Sequence, residues 1–462
     1  MSKPMPKHPF LSGVWEPWPM EGEAPNLPVT GEVPRELHGA LYRNGPNPQF
    51  APRGSYHPFS GDGMIHGFYL EGGRVDYRNR FVRTPRFQAE RAAGEALWSS
   101  FMGPGGAPDP RTEGVPGGPA NTNIVWHGGK LLALVEGGLP PVELDPLSLD
   151  TRCTTDYSGS LRDGTFTAHP KIDPETGAML GFRYSVMEPY VVYYEISKAG
   201  KVTREVPIHA PWPSMVHDFI TTAEHVIFPI FPATLRIERA QKGESVLGWE
   251  PELGTKIGVM PRNGGTNDVV WLDSDPCFVF HPMNAYTDGR RIVADVARYK
   301  QLPIPAAGLR MEIGGTDATL WHWEIDLDAR KVIETQRDDR ACEFPRLDER
   351  RTGLPYRFGF AGGEGGLGGG FTSILRYDVQ SGKSAVHDFG TGSAVSEPIF
   401  VPKSANAPEG QGFVLTVVYR AETGRSDLAI LDAENLDRAP LALAHLPHRV
   451  PAGFHGNWRP GA

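Results

Sequence analysis

The stretch FYLEGGRVDYRNRFV (Phe68–Val82) shows how this chain is built locally. An aromatic and apolar segment runs into an acidic residue, two glycines follow, and a second segment of alternating character begins. Two such segments on either side of a short glycine turn are typical of a β-hairpin. The stretch therefore predicts an antiparallel pair of strands with its turn at Gly72 and Gly73.

The same arrangement recurs along the chain, with most copies about 50 to 75 residues apart. The further copies are Val142–Thr154, Tyr194–Val206, Trp323–Gln336, Tyr377–Phe389 and Leu428–Leu446. One gap of about 130 residues is wide enough for a hidden copy near Gly289–Tyr299. Regular hairpins of this kind predict an all-β fold, a seven-bladed β-propeller, although a large sandwich or two β domains would also contain them.

The composition favours a folded chain with many turns. Hydrophobic residues make up 39% of the 462 residues, enough for a large core, and 55 Gly and 44 Pro favour short strands over long helices. We expect one propeller domain over residues 1–462, capped by loops and a few short helices. Phe87–Phe101 is predicted as a helix, and Gly103–Pro119 and Gly359–Gly370 as loops.

The charge and the cysteines limit the function classes. A net charge of −9 argues against a nucleic-acid partner, which requires a basic face. Cys153, Cys277 and Cys342 are far apart and odd in number, which predicts reduced thiols rather than disulfides. The N-terminus has no apolar signal region and no apolar run approaches the length of a membrane span, so we expect a cytoplasmic protein.

Four of the fifteen histidines share a local context. Each follows a short apolar or small stretch and is bounded by Pro, Asp or Gly, which places it at a strand end or a tight turn. They are His169 in TAHPKID, His217 in SMVHDF, His281 in FVFHPMNAY and His455 in GFHGNW. Because strands from different blades surround one axis in a propeller, these imidazoles are candidates to converge there.

Four neutral imidazoles would form a specific kind of metal site. Imidazole suits iron, copper, zinc or nickel, whereas structural zinc usually takes thiolates and hydrolytic zinc often takes a carboxylate. Oxygen chemistry requires a redox metal with open positions, and four histidines on a six-coordinate iron leave two. Carboxylates that could accept from the second ring nitrogen follow apolar stretches at Glu136, Glu343 and Glu397, although each taken singly reads as an ordinary strand-end residue.

At these residues the sequence resembles the carotenoid cleavage oxygenases. The resemblance covers nearly the whole chain and lies in an ordered set of motifs. They are LYRNGPNP (Leu41–Pro48), SGDGMIHGF (Ser60–Phe68), ANTNIVWHGGKLLALVEGGLP (Ala120–Pro140), AHPKIDPETG (Ala168–Gly177), MVHDF (Met215–Phe219), FHPMNAY (Phe280–Tyr286), EFPRLDERRTG (Glu343–Gly353), SEPIFVP (Ser396–Pro402) and GFHGNW (Gly453–Trp458).

The resemblance implies a seven-bladed propeller with iron on its axis and a non-haem Fe(II) dioxygenase. It implies that the four histidines bind Fe(2+), that the three glutamates orient the last three of them, and that Thr122 crowds an open iron position. The implied reaction adds both atoms of O2 to the two carbons of a conjugated double bond and releases two carbonyl products.

The expected substrate is an apolar alkene. Relatives that cleave 4-hydroxystilbenes hold the phenol with a Lys directly before the residue that is Glu136 here and with a Tyr near Phe101 or Met102. This chain has Val135 at the Lys position and apolar residues at the Tyr position, and Phe59 is a candidate tunnel residue. An apolar pocket end favours an apocarotenoid-like polyene, with a stilbene or phenylpropenoid alkene as the alternative.

An apolar rim at Leu97–Met102 or Leu302–Leu309 is a candidate for peripheral membrane contact, although such runs more often pack in a core. The oligomeric state cannot be read from the sequence. Two other classes compete with the enzyme. A lactonase-type propeller would bind calcium through oxygen ligands, which four histidines do not suit. A non-catalytic carotenoid-binding propeller would hold the alkene without consuming O2.

Overall fold

The computed structural model describes residues 3–99, 108–161, 164–304, 318–365 and 370–461. Within these ranges the chain is built mostly from short antiparallel strands and contains two α-helices. The first five strands are β1 (Gly22–Ala24), β2 (Val29–Gly31), β3 (Gly39–Pro46), β4 (Gly63–Glu71) and β5 (Arg74–Phe81). The hairpin predicted from Phe68–Val82 is therefore β4 and β5, with its turn at Gly72 and Gly73.

The next four blades follow one another along the chain as separate sheets. Blade two contains β6 (Asn123–His127), β7 (Lys130–Leu134), β8 (Val142–Leu144) and β9 (Thr151–Thr154). Blade three contains β10 (Lys171–Ile172), β11 (Met179–Tyr184), β12 (Val191–Ile196) and β13 (Val202–Ile208). Blade four contains β14 (Ile220–Thr221), β15 (His225–Ile230), β18 (Thr255–Pro261) and β19 (Val270–Ser274), with the small sheet of β16 (Ala233–Leu235) and β17 (Leu247–Trp249) inserted. Blade five contains β20 (Phe278–Asp288), β21 (Arg291–Tyr299), β22 (Thr319–Asp326) and β23 (Lys331–Gln336).

Blades six and seven are joined into one sheet of ten strands. Blade six contains β24 (Cys342–Leu347), β25 (Phe358–Gly365), β26 (Phe371–Asp378) and β27 (Lys383–Asp388). The linking strand β28 (Ser393–Val395) pairs with both β26 and β30. Blade seven contains β29 (Ile399–Pro402), β30 (Gly412–Arg420), β31 (Arg425–Asp432) and β32 (Ala442–His445), and β2 adds to its outer edge.

The last strand, β33 (Gly456–Pro460), pairs with β3 and completes blade one, whose strand order is β1-β5-β4-β3-β33, so that the two ends of the chain close one sheet. Each blade presents one inner strand, and these are β33, β6, β10, β14, β20, β24 and β29 in order around the ring. Neighbouring inner strands contact each other, as β14 and β20, β20 and β24, and β29 and β33 do. The arrangement is the predicted seven-bladed propeller, and the hidden copy near Gly289–Tyr299 is β21.

The core lies between neighbouring blades. Phe182 of blade three packs edge-on against Phe219 and Phe228 of blade four, with ring centroids 5.3 and 5.7 Å away. All three rings are almost completely buried. Burying a large apolar side chain contributes about 1.5–3 kcal/mol, so each blade interface is a substantial source of stability. The three cysteines are free, as predicted, and Cys277 and Cys342 are buried.

Two local predictions were right only in part. The helix predicted over Phe87–Phe101 is α1 (Pro85–Ala93), which begins at the Thr84 cap and ends at Gly94, whose φ of 71° stops it. The glycine-rich run predicted as a loop is in its first part the strand β25 (Phe358–Gly365). Its glycines serve packing, since a Cβ at Gly363 would lie 2.5 Å from the side chain of Leu375.

The second helix, α2 (Ile237–Gln241), lies in blade four. No helix within the described ranges is long and apolar enough to cross a membrane. In the two runs expected to form an apolar rim, Leu97, Leu302 and Ile304 are buried, and peripheral membrane contact stays a prediction. The other residues of those two runs lie largely outside the described ranges.

Candidate metal centre

Each of the four predicted histidines lies in or just before the inner strand of a different blade. His169 lies two residues before β10, His217 lies three residues before β14, His281 lies within β20 and His455 directly precedes β33. The inner strands of a propeller all run along the axis, so their ends bring residues that are far apart in sequence to one place. The four side chains are buried and meet there.

The spacing of the imidazoles fits one metal ion. One ring nitrogen from each histidine lies within 4.8 Å of the others. The Nε2 atoms of His217 and His281 are 3.2 Å apart. Both of these residues use Nδ1 towards a carboxylate, so both Nε2 atoms present lone pairs and cannot form a hydrogen bond with each other. Two nitrogens bound side by side to one metal at about 2.1 Å would be about 3 Å apart, close to the observed distance.

Three of the four histidines are held by the predicted glutamates. Glu136 Oε2 lies 2.5 Å from Nδ1 of His217, and Glu343 Oε2 lies 2.6 Å from Nδ1 of His281. Glu397 Oε1 lies 2.9 Å from Nδ1 of His455. A carboxylate that accepts from Nδ1 fixes the ring tautomer and its orientation, and leaves Nε2 as the donor to a metal.

The three carboxylates come from blades that supply none of the four histidines. Glu136 follows β7 of blade two, Glu343 lies in β24 of blade six, and Glu397 precedes β29 of blade seven. Every blade therefore contributes at least one residue to the centre. The geometry of the centre consequently depends on closure of the whole ring.

Glu397 is the most strongly held of the three glutamates. Besides His455, it accepts from the Gly456 amide at 2.8 Å and pairs with Nη1 of Arg346 at 3.2 Å. Burial by itself would raise the pKa of this carboxyl, but Arg346, His455 and the amide together lower that pKa to about 2. Glu397 is therefore an anion at any ordinary pH.

His169 differs from the other three histidines. Its Nε2 is buried and has no hydrogen-bond partner among the described residues. Its Nδ1 lies 4.0 Å from Asp218, too far for a hydrogen bond, and Lys171 occupies that carboxylate at 2.8 Å. Burial, followed by the neighbouring imidazoles, lowers the pKa of His169 well below its usual value, which keeps Nε2 free to bind a cation.

The pKa values of His281 and His455 are shifted in opposite directions by their surroundings. Burial is the largest influence on the pKa of His455 and lowers it to about 4, although Glu397 opposes this. Burial also acts to lower the pKa of His281, but the charge and hydrogen bond of Glu343 outweigh it and raise that pKa. A metal ion would compete with protons for these lone pairs.

The residues predicted to border the substrate lie in different surroundings. Thr122 precedes β6, and its carbonyl accepts from the amide of His455 at 3.1 Å while its hydroxyl donates to Asn121. Phe59 is partly buried and contacts Phe454 edge-on at 5.5 Å. Val135 is partly buried and packs against the core of blade two. Phe101 lies outside the described residues.

Several residues at the centre were missed from the sequence. Tyr184 donates its hydroxyl hydrogen bond to Oε1 of Glu136, the oxygen that His217 does not use. Phe280 contacts His217 edge-on at 4.8 Å, and Phe344 stacks on His281 at 5.2 Å. The sequence could have pointed to the two phenylalanines, since Phe280 directly precedes a predicted histidine and Phe344 directly follows a predicted glutamate.

Phe344 also adopts a backbone conformation that is uncommon for a residue with a side chain. Its φ is 51°, in the left-handed region. The backbone amide of Phe344 donates to Glu343, which in turn accepts from His281. Strained backbone persists where surrounding contacts fix it, and such positions cluster at functional sites.

Comparison with known proteins decides the family. The sequence model of the RPE65 family (retinal pigment epithelial membrane protein) matches residues 15–460. The chain belongs to this family, that of the carotenoid cleavage oxygenases. It is 38% identical to isoeugenol monooxygenase of Pseudomonas nitroreducens, over 98% of each chain. It is 36% identical to carotenoid cleavage oxygenase of Mycobacterium tuberculosis, again over 98% of each chain.

The fold agrees with a solved member of the family. The crystal structure of Pseudomonas brassicacearum lignostilbene dioxygenase superimposes with a TM-score of 0.91 at 32% identity, over 100% of both chains. The predictions of the family, of the propeller and of an O2-using, alkene-cleaving oxidoreductase are thereby confirmed. The family depends on non-haem iron, and the four histidines of this carotenoid cleavage oxygenase form a cluster that could bind a metal.

Proposed function

We propose that this protein is a non-haem Fe(II) dioxygenase that cleaves a conjugated carbon–carbon double bond into two carbonyl products. The observation that carries the proposal is the buried cluster of His169, His217, His281 and His455. Three of its rings are oriented by carboxylates, and no carboxylate of the described residues joins the four as a ligand candidate. Neutral nitrogen donors of this kind suit a redox-active first-row metal.

The proposed ligands are the four histidines, and Glu136, Glu343 and Glu397 are the residues that hold three of them. A bound Fe(II) would supply the redox chemistry that lets O2 react with the alkene. The protein positions the ligand nitrogens, keeps His217, His281 and His455 in one tautomer and surrounds them with phenylalanine rings. Those apolar rings would favour an apolar alkene and exclude bulk water.

The substrate is proposed as a conjugated alkene, and two classes are candidates. The apolar Val135 at the position of the phenol-binding lysine favours an apocarotenoid-like polyene. The relatives named for isoeugenol and lignostilbene favour a second candidate, an alkene conjugated with an aromatic ring. Thr122, Phe59 and Phe101 are proposed to border the reacting alkene, and the chain is proposed to act as a single domain in the cytoplasm.

The test is product analysis with the purified, Fe(II)-loaded protein and O2. An apocarotenal, isoeugenol and a 4-hydroxystilbene are supplied side by side, and 18O2 is used to trace the oxygen atoms. Two carbonyl fragments, each carrying label, support the proposal and identify the substrate class. Iron-loaded protein that consumes none of the three and takes up no O2 would contradict it and favour a non-catalytic binding protein.

A further inference from the structure

Arg43 is a buried cation without a matching anion. It lies on β3, opposite His66 of β4 and Gly456 of β33, and only 7% of it is exposed. Its Nε forms no hydrogen bond, and no carboxylate of the described residues forms an ion pair with its guanidinium. Burying a charge without a partner is costly, so the position requires a compensating group.

The carboxylate whose charge acts on Arg43 is already occupied. Glu397 accepts hydrogen bonds from His455 and Gly456 and pairs with Arg346, which also pairs with Glu349. Burial lowers the pKa of Arg43 to about 10, and the charge of Glu397 only partly opposes this. Arg43 is therefore still a cation at neutral pH, and its Nε has no hydrogen-bond partner among the described residues.

A cavity of about 200 Å³ opens next to this guanidinium. Its walls are mainly apolar and aromatic and include Val14, Trp15, Phe371 and Phe454. Glu397 also lines it, but both oxygens of that carboxylate already accept hydrogen bonds. A cavity of roughly 150 Å³ is already large enough to bind benzene, so one substituted aromatic ring fits here. The combination of aromatic walls and one cation selects for an aromatic ring that carries an anionic oxygen.

The cavity shares a wall with the candidate metal centre. Phe344 lines it, and the same ring lies 5.2 Å from the ring of His281 and 5.0 Å from that of His455. Phe454, directly before His455 in the chain, separates the cavity from Phe59. A molecule in the cavity would therefore sit beside the reacting site rather than on a remote surface.

We propose that this cavity binds a one-ring aromatic compound through its carboxylate or phenolate oxygen, with Arg43 as the anion-binding residue. Such a guest has two possible sources: the aromatic end of this enzyme's own substrate or product, or a separate small effector. The first source rests on the proposed function, because it requires an aryl-conjugated alkene. The binding site itself does not depend on that reaction.

The test uses benzoate as the probe and the iron-loaded protein under anaerobic conditions, where no turnover occurs. Calorimetry gives the affinity, and quenching of tryptophan fluorescence reports on the cavity, which Trp15 lines. We expect one benzoate per chain, bound about tenfold more tightly than benzyl alcohol, the neutral compound of similar shape. Benzoate that binds no better than benzyl alcohol would overturn the proposal.

Two variants locate the site. Arg43→Met removes the charge and is expected to weaken benzoate binding at least tenfold without affecting benzyl alcohol. Arg376→Met is the matched control, because Arg376 also has a buried Nε without a partner but stacks on Phe358 instead of lining the cavity. If Arg43→Met does not fold, Val395→Phe fills the cavity while keeping the cation, and retained benzoate binding in that variant would exclude this site.

Steady-state kinetics distinguish the two sources. Benzoate that raises the KM of an aryl alkene without changing kcat indicates the substrate's own aromatic subsite, whereas a change in kcat alone indicates an effector. The experiments also distinguish failure of the proposed function from failure of this inference. A protein that binds benzoate through Arg43 but cleaves no alkene contradicts only the proposed function, and one that cleaves alkenes but binds no benzoate contradicts only this inference.

Discussion

Tyr184 donates its hydroxyl hydrogen bond to Oε1 of Glu136, and Oε2 of the same carboxylate accepts from Nδ1 of His217 at 2.5 Å. The chain of contacts links β11 of blade three to the histidine of blade four through a glutamate of blade two. One carboxylate thus receives two donors, which fixes its plane. The orientation of His217 depends on a tyrosine that has no contact with the proposed metal position.

We expect Tyr184→Phe to weaken metal binding about tenfold, since loss of an outer partner of a metal ligand typically costs 10- to 100-fold. Affinity is measured by competition with a chelator. Tyr157→Phe serves as the control, because the Tyr157 hydroxyl is buried but has no hydrogen-bond partner among the described residues. Equal affinities in the two variants would show that the Tyr184 contact does not act on the metal site.

Glu343→Gln and Glu397→Gln should differ in their effect on stability. Both should lower metal affinity by about 10- to 100-fold, because each removes an anionic acceptor from Nδ1 of a proposed ligand. Glu397→Gln also removes one of the two carboxylates that pair with the buried Arg346, the other being Glu349, so it should reduce the free energy of unfolding by about 1.5–3 kcal/mol more than Glu343→Gln. Metal analysis and denaturant unfolding of the metal-free proteins test the two effects separately. Equal unfolding free energies would mean that Glu349 alone is enough to hold Arg346.

His281→Ala should abolish both iron binding and alkene cleavage, because it removes one of the four proposed ligands and leaves the buried Glu343 without the imidazole that it holds. Iron content and O2 uptake are the measurements. His387→Ala is a suitable control, since that half-buried histidine lies in β27 of blade six and its Nδ1 bonds to the carbonyl of Leu436. Full activity in His281→Ala would remove this residue from the proposed ligand set.

Val135→Lys should improve cleavage of a 4-hydroxystilbene. A lysine directly before Glu136 could donate a charge-assisted hydrogen bond to the phenolic oxygen, and a bond of about 1.5–3 kcal/mol corresponds to a gain of about tenfold or more in kcat/KM. The control is an unsubstituted stilbene, whose kcat/KM should not rise. No gain with the hydroxylated substrate would mean that this position alone does not set the preference, which fits with the packing of Val135 against the core of blade two.

Asp295→Asn should destabilise the fold while leaving the metal site intact. Asp295 is 1% exposed, accepts from Tyr356 and Arg337 at 2.6 Å each, and lies 2.9 Å from Nδ1 of His322. Removing the charge leaves Arg337 without its buried partner, and we expect a loss of about 3 kcal/mol in the free energy of unfolding. Chelator competition on the folded variant should give wild-type metal affinity, and a clear loss there would link this network to the centre.

The sequence by itself determined the local structure and the identity of the cluster. All six visible hairpins are hairpins in the structure, because alternation with period two and glycine turns are properties of adjacent residues. The four histidines and three glutamates were found from short contexts and from an ordered family resemblance. Gly359–Gly370 was misread because a glycine chosen for close packing looks the same in sequence as a glycine in a turn.

Only the tertiary structure decided which residues act together. Glu136 and His217 are separated in sequence and meet because blades two and four pack around the same axis. Glu397 and His455 meet because β33 closes the ring against β3. The contact of Tyr184 and the burial of Arg43 likewise follow from packing between strands that are far apart in sequence. The physical reason is that hydrogen bonding and burial depend on distances between blades, and those distances exist only after the seven blades have packed around one axis.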